Sequence, residues 1–590
     1  MFKPFFVFIL YLFVFSQTEA QQFKDALFRY PLDSLPYFVS PFGTIRENHF
    51  HSGVDLKTQE REGLPVYAAA SGFVSRVKIA ANGYGKAIYI EHPNGFSTVY
   101  GHLQSFKEPF ASWIKNVQYS KQQFAFDSIL KPGVLKVNVG DTIGLSGNSG
   151  GSTGPHLHFE IRESKSEDTW NPGLFGMLPI DTIAPFLNTL HFYQFVPEGI
   201  LLEKRMEDIP KRIYKSETDS MFGNLYVCKD TLLLSPDLYG LGIETFDYIH
   251  NKRESKGIYQ YGVIHHLEEI FRFKMNKFAF SESKFVNQHI DYPWYKIHKE
   301  KIQKCFIDDG NLFSQLSSHH QKGKFYIKDN QLDSFVIFVG DINDNMRFFQ
   351  FYVKGDPNVS SKQKEAYFNQ LQNKKLWSPL REFKFQDEGF KLHAKSHATY
   401  DTIYFDYEQR AGLKNTYAPI FKVHQPYTAV HSPIDIAIEA YVQNPNETKF
   451  LCLASVSKNN ELRYAGGTFQ DAWVKGSISN FGNYTIAADS IAPTAIWNKN
   501  NNTDSTQIRI TIDDNFSGIG GYQLYLNDHW VLADYDAKNN LLTYQFDALY
   551  ATQKAEALQA IDLELKAEWT LKLSDKQGNI SVFKWQTKWN

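Results

Sequence analysis

The chain is 590 residues long, a length that usually corresponds to about four domains. Its 62 lysines and arginines nearly balance its 64 aspartates and glutamates, which leaves a formal net charge of −2. A nearly neutral chain is unsuited to binding nucleic acid, and to general electrostatic capture by anionic cell-wall polymers. The three cysteines are an odd number, so at least one thiol is free. The sequence does not decide whether Cys228 and Cys305 form a disulfide.

Residues 1–20 are typical of a secretory signal peptide. Lys3 precedes a very apolar run from Phe5 to Phe15, which is too short to span a bilayer. Small residues at Thr18 and Ala20 favour cleavage before Gln21. No cysteine follows directly, which argues against a lipoprotein anchor, and no later apolar run reaches membrane length. The sequence therefore predicts a secreted or periplasmic protein without a transmembrane anchor.

Two short segments carry the side chains that a hydrolytic metal site needs. They contribute four groups, His51 and Asp55 from the first and His156 and His158 from the second. Three of these can bind a divalent metal while one imidazole is left beside it. A hydrolytic zinc site uses three protein ligands, an open position and a nearby group that handles protons.

The second segment has the alternation of a half-buried strand. Alternation places His156, His158 and Glu160 on one face and apolar side chains on the other. Glu160 is therefore a candidate to accept the second ring N–H of a ligating histidine. Short strands are also predicted around residues 74–79, 88–90 and 98–100, which indicates a strand-rich domain.

This part of the chain resembles the lysostaphin/LytM-type zinc metallopeptidases, which cut peptide stems or cross-bridges of bacterial peptidoglycan. The matching stretches run from Arg46 to Thr58, Gly63 to Val77, Gly83 to Leu103 and Val137 to Arg162. They lie within about residues 38–165, roughly a quarter of the chain. The resemblance implies a mostly antiparallel β fold with a groove across the sheet.

The resemblance also implies roles for individual residues. His51, Asp55 and His158 match the zinc ligands of the family, which predicts one Zn²⁺ per chain. His102 and His156 match its two unligated catalytic histidines, which stabilise the oxyanion or move protons. Which of the two is the general base stays open.

An insertion of about thirty residues, from Gln104 to Lys136, departs from the compact pattern of the family. A short helix is predicted over residues 109–118. At the edge of the groove such an insertion sets substrate choice or acts as a lid; alternatively, it is a surface loop that pads the fold.

The tail contains a repeat. The segment Asp181 to Pro185 recurs as Asp489 to Pro493, and each unit closes on an Asp…Asn turn before an aromatic-rich strand. This pattern favours immunoglobulin-like β-sandwich modules. The whole chain is thus expected to be mostly β, with an antiparallel-β metallopeptidase domain followed by such modules. The predicted parts are a signal peptide (1–20), a zinc metallopeptidase domain (21–180), an immunoglobulin-like domain (181–355), a linker (356–379), a β-rich domain (380–488) and a second immunoglobulin-like domain (489–590).

Further histidine pairs occur in the tail. His265 and His266 stand near Glu268 and Glu269, and a second pair occupies residues 319–320. Neither pair has a supporting pattern, and both are interpreted as surface features.

Three functions fit the sequence. The first is a zinc endopeptidase acting on the peptides of peptidoglycan, with a β-rich tail that positions it or contacts a cell-envelope protein. The second is a non-catalytic cell-wall-binding regulator of other hydrolases, and the third is a structural or adhesive surface protein. The complete set of ligands favours the first.

Overall fold

The computed structural model describes most of the chain. Its described residues are 28–33, 38–179, 181–195, 201–207, 213–215, 225–249, 252–254, 258–319, 321–359, 374–498, 506–559 and 566–588. The predicted signal peptide lies outside them. The chain is mostly β, as predicted. Among the described helices, none combines the length and the apolar character needed to cross a bilayer.

An antiparallel sheet of ten strands forms the N-terminal domain. Leu157, Phe159 and Ile161 are fully buried in its core, as the alternation predicts. In order across the sheet, seven strands are Phe38–Ser40, Val54–Lys57, His156–Glu163, Phe96–Gly101, Lys86–Glu91, Gly72–Ile79 and Phe126–Ile129. Three further strands complete the sheet. Lys136–Val137 pairs with Gly72–Ile79, Thr169–Trp170 pairs with His156–Glu163, and Lys277–Phe278 pairs with Thr169–Trp170.

Smaller elements complete this domain. The insertion forms the helix Phe110–Lys121, which buries Phe110, Ile114 and Gln118 at the i, i+4, i+8 spacing of one helical face. It overlaps the predicted helix and extends it by about one turn. The other elements are the strands Pro65–Tyr67, Thr142–Leu145 and Ser105–Phe106 of a three-stranded sheet, the hairpin strands Ile45–Arg46 and His49–Phe50, and the 3₁₀ helix Pro172–Phe175.

The second block, within residues 181–359, consists of two sheets that share one core. One sheet contains the strands Leu201–Glu207, Phe186–Phe195, Asp237–Ile249, Lys252–Glu254, Gln303–Lys304 and Phe325–Ile327. The other contains Ile213–Lys215, Leu225–Leu234, Met346–Gly355, Leu332–Gly340, Gln260–His265, Glu268–Lys274 and Leu316–Ser318. Short helices cover one end and are Phe280–Phe285, Val286–His289, Tyr292–His298 and Gln321–Gly323.

The first two domains are not separate bodies. The strand Lys277–Phe278 pairs with Thr169–Trp170 and so extends the N-terminal sheet. Phe50, next to the predicted ligand His51, stacks on Phe313 with ring centroids 4.9 Å apart. One continuous core therefore runs from the N-terminal domain into the second block.

The third block, within residues 374–488, contains two five-stranded sheets and one two-stranded sheet around a single core. Fully buried Trp377 stacks on Phe383 in this core, so the end of the predicted linker 356–379 is part of the block. Its strands are Lys375–Trp377, Phe383–Asp387, Phe390–Ala394, Ile403–Phe405, Tyr407–Arg410, Ile420–Val423, Ile434–Glu439, Leu451–Val456, Leu462–Tyr464, Thr468–Gln470, Trp473–Ile478 and Gly482–Ala488, with the 3₁₀ helix Pro445–Phe450.

The C-terminal block begins at about residue 489 and packs two four-stranded sheets face to face around Trp569. One sheet contains Thr494–Trp497, Gln507–Asp513, Leu541–Gln545 and Ala533–Asp536. The other contains His529–Val531, Ile519–Leu526, Lys566–Asp575 and Ile580–Lys588, and the helix Ala548–Gln559 lies between strands of the two sheets in sequence.

The sequence repeat has a structural counterpart. The Asn345 amide donates to the Asp181 carbonyl at 2.9 Å and to the Asp341 carboxylate at 2.7 Å. In the C-terminal block the Asn579 amide makes the same two contacts, with Asp489 and Asp575. In each unit the Asp…Asn turn thus fastens the start of the unit to its last hairpin. The three cysteines of the chain are buried and form no disulfide, so Cys228 and Cys305 are not bridged.

Candidate metal centre

Cross-strand register brings the predicted site residues together. His158 lies opposite Asp55 on one side and opposite Gly101 on the other. His102 follows Gly101 directly, and His51 follows the end of the hairpin strand His49–Phe50. Five residues spread over about a hundred positions therefore meet at the ends of four neighbouring strands.

Three of these side chains converge on one point. His51 Nε2 lies 3.0 Å from Asp55 Oδ1, His158 Nδ1 lies 2.9 Å from the same oxygen, and the two nitrogens are 3.1 Å apart. All three residues are at most 4% exposed. Two imidazole nitrogens and one carboxylate oxygen in this arrangement form a donor set that suits a zinc-type metal.

Hydrogen bonds on the outer side of each of the three side chains determine which of its atoms faces the metal centre. His51 Nδ1 donates to the Pro41 carbonyl at 2.9 Å, and His158 Nε2 donates to Glu160 Oε1 at 2.8 Å. Because each acceptor is an oxygen, each of these nitrogens must carry a proton, which leaves only the opposite nitrogen for a metal. Arg46 donates to Asp55 Oδ2 at 2.5 Å, so Oδ1 alone remains for coordination. The donor set therefore fits a metal bound through one atom of each residue.

Charge at the centre is also suited to a cation. Burial lowers the pKa of His51 to about 4, so this imidazole is neutral at pH 7 and able to bind a metal. Burial alone would raise the pKa of Asp55, but interactions with the neighbouring side chains of His51, His156 and His158 outweigh burial and hold it well below its usual value. Asp55 is therefore ionised throughout the physiological range.

Glu160 organises the layer behind the ligands. It is fully buried and accepts hydrogen bonds from Ser52 at 2.6 Å, Tyr84 at 2.6 Å and His158 at 2.8 Å. Arg162 donates to its other oxygen at 2.6 Å. Burial raises the pKa of Glu160, but the Arg162 charge and the His158 hydrogen bond outweigh it and lower the pKa below its usual range. The carboxylate stays charged and fixes the ring of His158.

Replacing Glu160 with glutamine is expected to weaken metal binding by about 10- to 100-fold, because the neutral amide no longer holds the His158 ring or pairs with buried Arg162. Competition with a chromophoric chelator measures this change. Glu163→Gln, three residues along the same strand and partly exposed, is the matched control and should keep the affinity of the unmodified protein. Equal affinities for the two variants would show that Glu160 does not orient the ligand.

Metal binding is expected to release a proton at neutral pH. Burial lowers the pKa of His158, but hydrogen bonds to Asp55 and Glu160 raise it to about 9 overall. A proton on Nδ1 must leave before that atom binds a metal, so apparent affinity should rise about tenfold per pH unit until about pH 9 and then level off. Calorimetry in buffers of different ionisation enthalpy measures the released proton. A pH-independent affinity below about pH 9 would contradict the assignment of His158 Nδ1.

The two remaining histidines, His102 and His156, flank these three side chains. The ring centroids of His102 and His156 are 4.8 Å apart, and His156 Nε2 lies 3.4 Å from Asp55 Oδ1. His102 Nδ1 donates to the Ser149 carbonyl and His156 Nδ1 donates to the Gly154 carbonyl, both at 2.8 Å. These bonds fix a proton on Nδ1 of each ring, which leaves Nε2 as the nitrogen available for other interactions.

The glycine-rich run that supplies these carbonyls packs tightly on a neighbouring turn. At Gly150, where φ is +73°, an added Cβ would lie 2.3 Å from the Gly85 nitrogen, so no larger residue fits. His102 itself adopts a φ of 59°, and its backbone nitrogen donates to the Tyr84 carbonyl at 2.8 Å. Close backbone contact thus fixes the position of His102 and of the glycine-rich run beside it.

The C-terminal block contacts the insertion helix. Lys115 lies 3.0 Å from Asp547, and the Tyr119 hydroxyl donates to the same carboxylate. The Tyr119 ring also packs edge-on against Trp530 with centroids 5.2 Å apart. The insertion therefore provides a surface on which the C-terminal block rests, a contact that the sequence did not indicate.

The C-terminal block also contacts the loop that borders the site. The Lys538 ammonium donates to the backbone carbonyls of Asn148 and Ser152, the latter at 3.0 Å. The Ser152 hydroxyl donates to the Gly154 carbonyl at 2.7 Å and lies 3.2 Å from His156 Nδ1. Lys538 of the last block thus holds the loop that orients His156.

The five central residues and Glu160 were singled out from the sequence and lie together in the structure, whereas the residues that support them were not singled out. Arg162 stands two residues after Glu160 on the same strand, so the alternation that located Glu160 could also have located it. Ser52 and Tyr84 lie within the stretches that resemble the family, yet nothing in their local pattern singles them out. Lys538 contacts residues nearly four hundred positions away, and no local signal exists for it.

Comparison with known families agrees with this geometry. The model of peptidase family M23 matches residues 49–119 and 127–172, which contain all five central residues. The N-terminal domain is an M23 peptidase domain. The predicted resemblance is thus confirmed for this domain. The unmatched residues between the two segments lie in the insertion. A second model, that of the Zu5-like domain, matches residues 374–489, which form the third block.

Curated relatives match a quarter of this chain or less. An uncharacterized metalloprotease of Haemophilus influenzae is 35% identical over 139 residues, which are 22% of this chain and 24% of the relative. The DD-carboxypeptidase/endopeptidase Mpg of Neisseria meningitidis is 33% identical over 128 residues, 21% of this chain and 24% of the relative. The peptidoglycan DD-endopeptidase ShyA of Vibrio cholerae is 33% identical over 154 residues, which are 25% of this chain and 30% of the relative. The chain spans less than a third of each of these relatives.

Proposed function

We propose that this chain is a zinc-dependent endopeptidase that hydrolyses peptide bonds in bacterial peptidoglycan. The observation that carries the proposal is the convergence of His51 Nε2, Asp55 Oδ1 and His158 Nδ1 within 3.1 Å of one another in an M23 domain. The names of two relatives of this domain, a DD-carboxypeptidase/endopeptidase and a peptidoglycan DD-endopeptidase, support the substrate class.

The ligand set in this proposal is His51, Asp55 and His158, with one catalytic zinc ion per chain. Zinc bound there supplies a Lewis acid, which polarises the scissile carbonyl and brings the pKa of a water toward neutrality. Glu160 holds the His158 ring, and Arg46 keeps Asp55 in a one-oxygen orientation. Glu160 and Arg46 thus orient the His158 ring and the Asp55 carboxylate before substrate binds.

His102 and His156 move the protons. Burial lowers the pKa of His102 to about 3, so its ring starts neutral, with Nε2 free to accept a proton. Peptide hydrolysis transfers one proton from the attacking water to the leaving amine, and the transfer needs an acceptor that begins neutral. A ring protonated at Nε2 becomes a donor, able to stabilise the oxyanion or to protonate the amine. The carbonyls of Ser149 and Gly154 keep both rings in the required tautomer.

Lys538→Ala is expected to lower kcat by about fivefold and to leave metal occupancy unchanged, because the loop that orients His156 loses a charged hydrogen-bond donor. Steady-state kinetics with wall fragments, alongside metal analysis, tests this. Lys572→Ala on the same block, away from the interface, is the control. An unchanged kcat would show that the contact has no catalytic consequence, and a raised kcat would indicate that the block restrains the site.

The proposal is tested by incubating the zinc-loaded chain with purified cell walls of several peptide chemistries and measuring the release of new amino groups. Release that requires zinc supports the endopeptidase. The alternative, a non-catalytic wall-binding regulator, predicts binding to the same walls and stimulation of another hydrolase without release. The intact ligand set disfavours that alternative.

We also propose where this reaction takes place and what the tail does. Residues 1–20 act as a cleavable signal peptide, and the mature protein works outside the cytoplasm, where peptidoglycan lies. The blocks at 181–355 and 489–590 are immunoglobulin-like modules, a reading supported by their paired sheets and shared Asp…Asn turns. They position the M23 domain and offer a surface for a cell-envelope protein.

A further inference from the structure

A second group of metal-ligand side chains lies in the second block, far from the M23 site in sequence. His265 ends the strand Gln260–His265, His266 begins the turn that follows, and Asp333 lies on the paired strand Leu332–Gly340. His265 Nε2 is 3.1 Å from Asp333 Oδ1, and His266 Nε2 is 2.6 Å from the same oxygen. The histidines that the sequence analysis interpreted as surface features thus meet a carboxylate that it did not connect with them.

The arrangement repeats that of the M23 site. In both places two imidazole nitrogens approach one oxygen of a buried aspartate, at 2.9 and 3.0 Å in the M23 site and at 2.6 and 3.1 Å here. In both, the ligand atoms lie within 4.8 Å of one another. The donor set, two histidines and one aspartate, is the same.

The negative charge of the buried Asp333 carboxylate is poorly neutralised by the protein itself. It is fully buried, and three donors crowd its Oδ1, the third being the Gln331 amide at 3.0 Å. Its Oδ2 is buried without a hydrogen-bond partner in the described part of the chain. No lysine or arginine among the described residues forms an ion pair with it. A buried carboxylate with one bare oxygen is costly unless a cation neutralises it.

The backbone at the turn is also held in an unusual conformation. His266 and Leu267 have φ values of 47° and 71°, a left-handed conformation that glycine or asparagine normally supplies in such a hairpin. The His266 nitrogen donates to the Ser334 carbonyl at 3.1 Å, and the His265 ring stacks on Phe335 at 4.4 Å. These contacts place both imidazoles beside Asp333 and leave the His266 side chain 47% exposed.

We propose that His265, His266 and Asp333 form a second metal site that takes a divalent transition metal such as Zn²⁺. Imidazole ligands favour zinc-type metals over Ca²⁺ or Mg²⁺, and the exposed side of His266 leaves room for a solvent or external ligand. The cation neutralises Asp333 and fastens the hairpin to the adjacent strand. This site does not depend on the activity proposed for the M23 domain, and it raises the metal content of the chain to two.

Zinc stoichiometry of the full chain tests this inference. The metal-free protein is titrated with Zn²⁺ in a calorimeter, and bound zinc is counted after gel filtration. We expect two equivalents for the unmodified chain, one for His266→Gln, one for Asp55→Ala and none for the double variant. His529→Gln is the matched control, since His529 is an exposed histidine that directly follows a turn of two residues with positive φ, whereas His266 begins such a turn. It should keep two equivalents.

Cobalt provides a second readout. Co²⁺ bound to Asp55→Ala should give visible absorption bands that disappear in the double variant. The inference is overturned if His266→Gln binds as much zinc as the His529→Gln control. The comparison of His266→Gln with the unmodified chain stands by itself if Asp55→Ala does not fold.

Discussion

Asp55→Ala is expected to lose catalytic zinc and hydrolytic activity together, with a drop in activity of about a thousandfold or more. Asp55 Oδ1 is the point on which the other two ligand atoms converge, so its removal leaves two neutral imidazoles and no anionic ligand. The Arg46 partner is 37% exposed on its side chain and can turn to solvent, which limits the cost to folding. Metal analysis of the M23 site and release of peptide from cell walls measure the two losses.

The matched control is Asp127→Ala. Asp127 lies on an outer strand of the same sheet, where it pairs with Arg76 at the surface. Loss of such an exposed pair costs little stability, so zinc content and activity should be unchanged. An Asp55→Ala protein with full activity would overturn the assignment of the ligands.

His102→Ala is expected to keep its zinc but to lose about 10²- to 10⁴-fold in kcat, the usual contribution of a general acid or base. His102 lies outside the triangle of ligand atoms, and its Nδ1 proton is held by the Ser149 carbonyl. The variant therefore removes a proton acceptor without removing a ligand. Steady-state kinetics should show the loss in kcat, with a much smaller change in KM.

His92→Ala is the control for this variant. His92 is a buried histidine of the same domain, with Nδ1 on the Ser71 carbonyl and Nε2 on Thr98, away from the metal centre. Its removal tests whether loss of any buried imidazole lowers activity through stability alone. If His102→Ala loses zinc, or if it retains full kcat, the proton-transfer role is wrong.

The central site could be predicted because its signals are local. Two segments of a few residues carry the proposed ligands, and the period of two along His156–Glu163 assigns each side chain to a face. Glu160 followed from the same alternation, and the structure places it on His158. The mostly β fold also followed from short alternating strands separated by turns. The roles given to His102 and His156 remain predictions.

The parts that could not be predicted depend on contacts between distant segments. Trp377 was assigned to a linker, but it is buried in the third block because its strand pairs with Ile403–Phe405. Lys538 reaches a loop of the M23 domain from the last block, and Asp333 meets two histidines nearly seventy residues earlier in the chain. Such pairings depend on how sheets pack, and no short segment of sequence encodes them.

The most direct test of the central claim is mass spectrometry of purified peptidoglycan digested by residues 21–590 with zinc, with Asp55→Ala alongside. We expect new soluble fragments with a hydrolysed peptide bond, absent from the variant, and their masses identify the bond that is cut. Walls of several peptide chemistries that all stay intact while zinc is bound to the M23 site would contradict the claim.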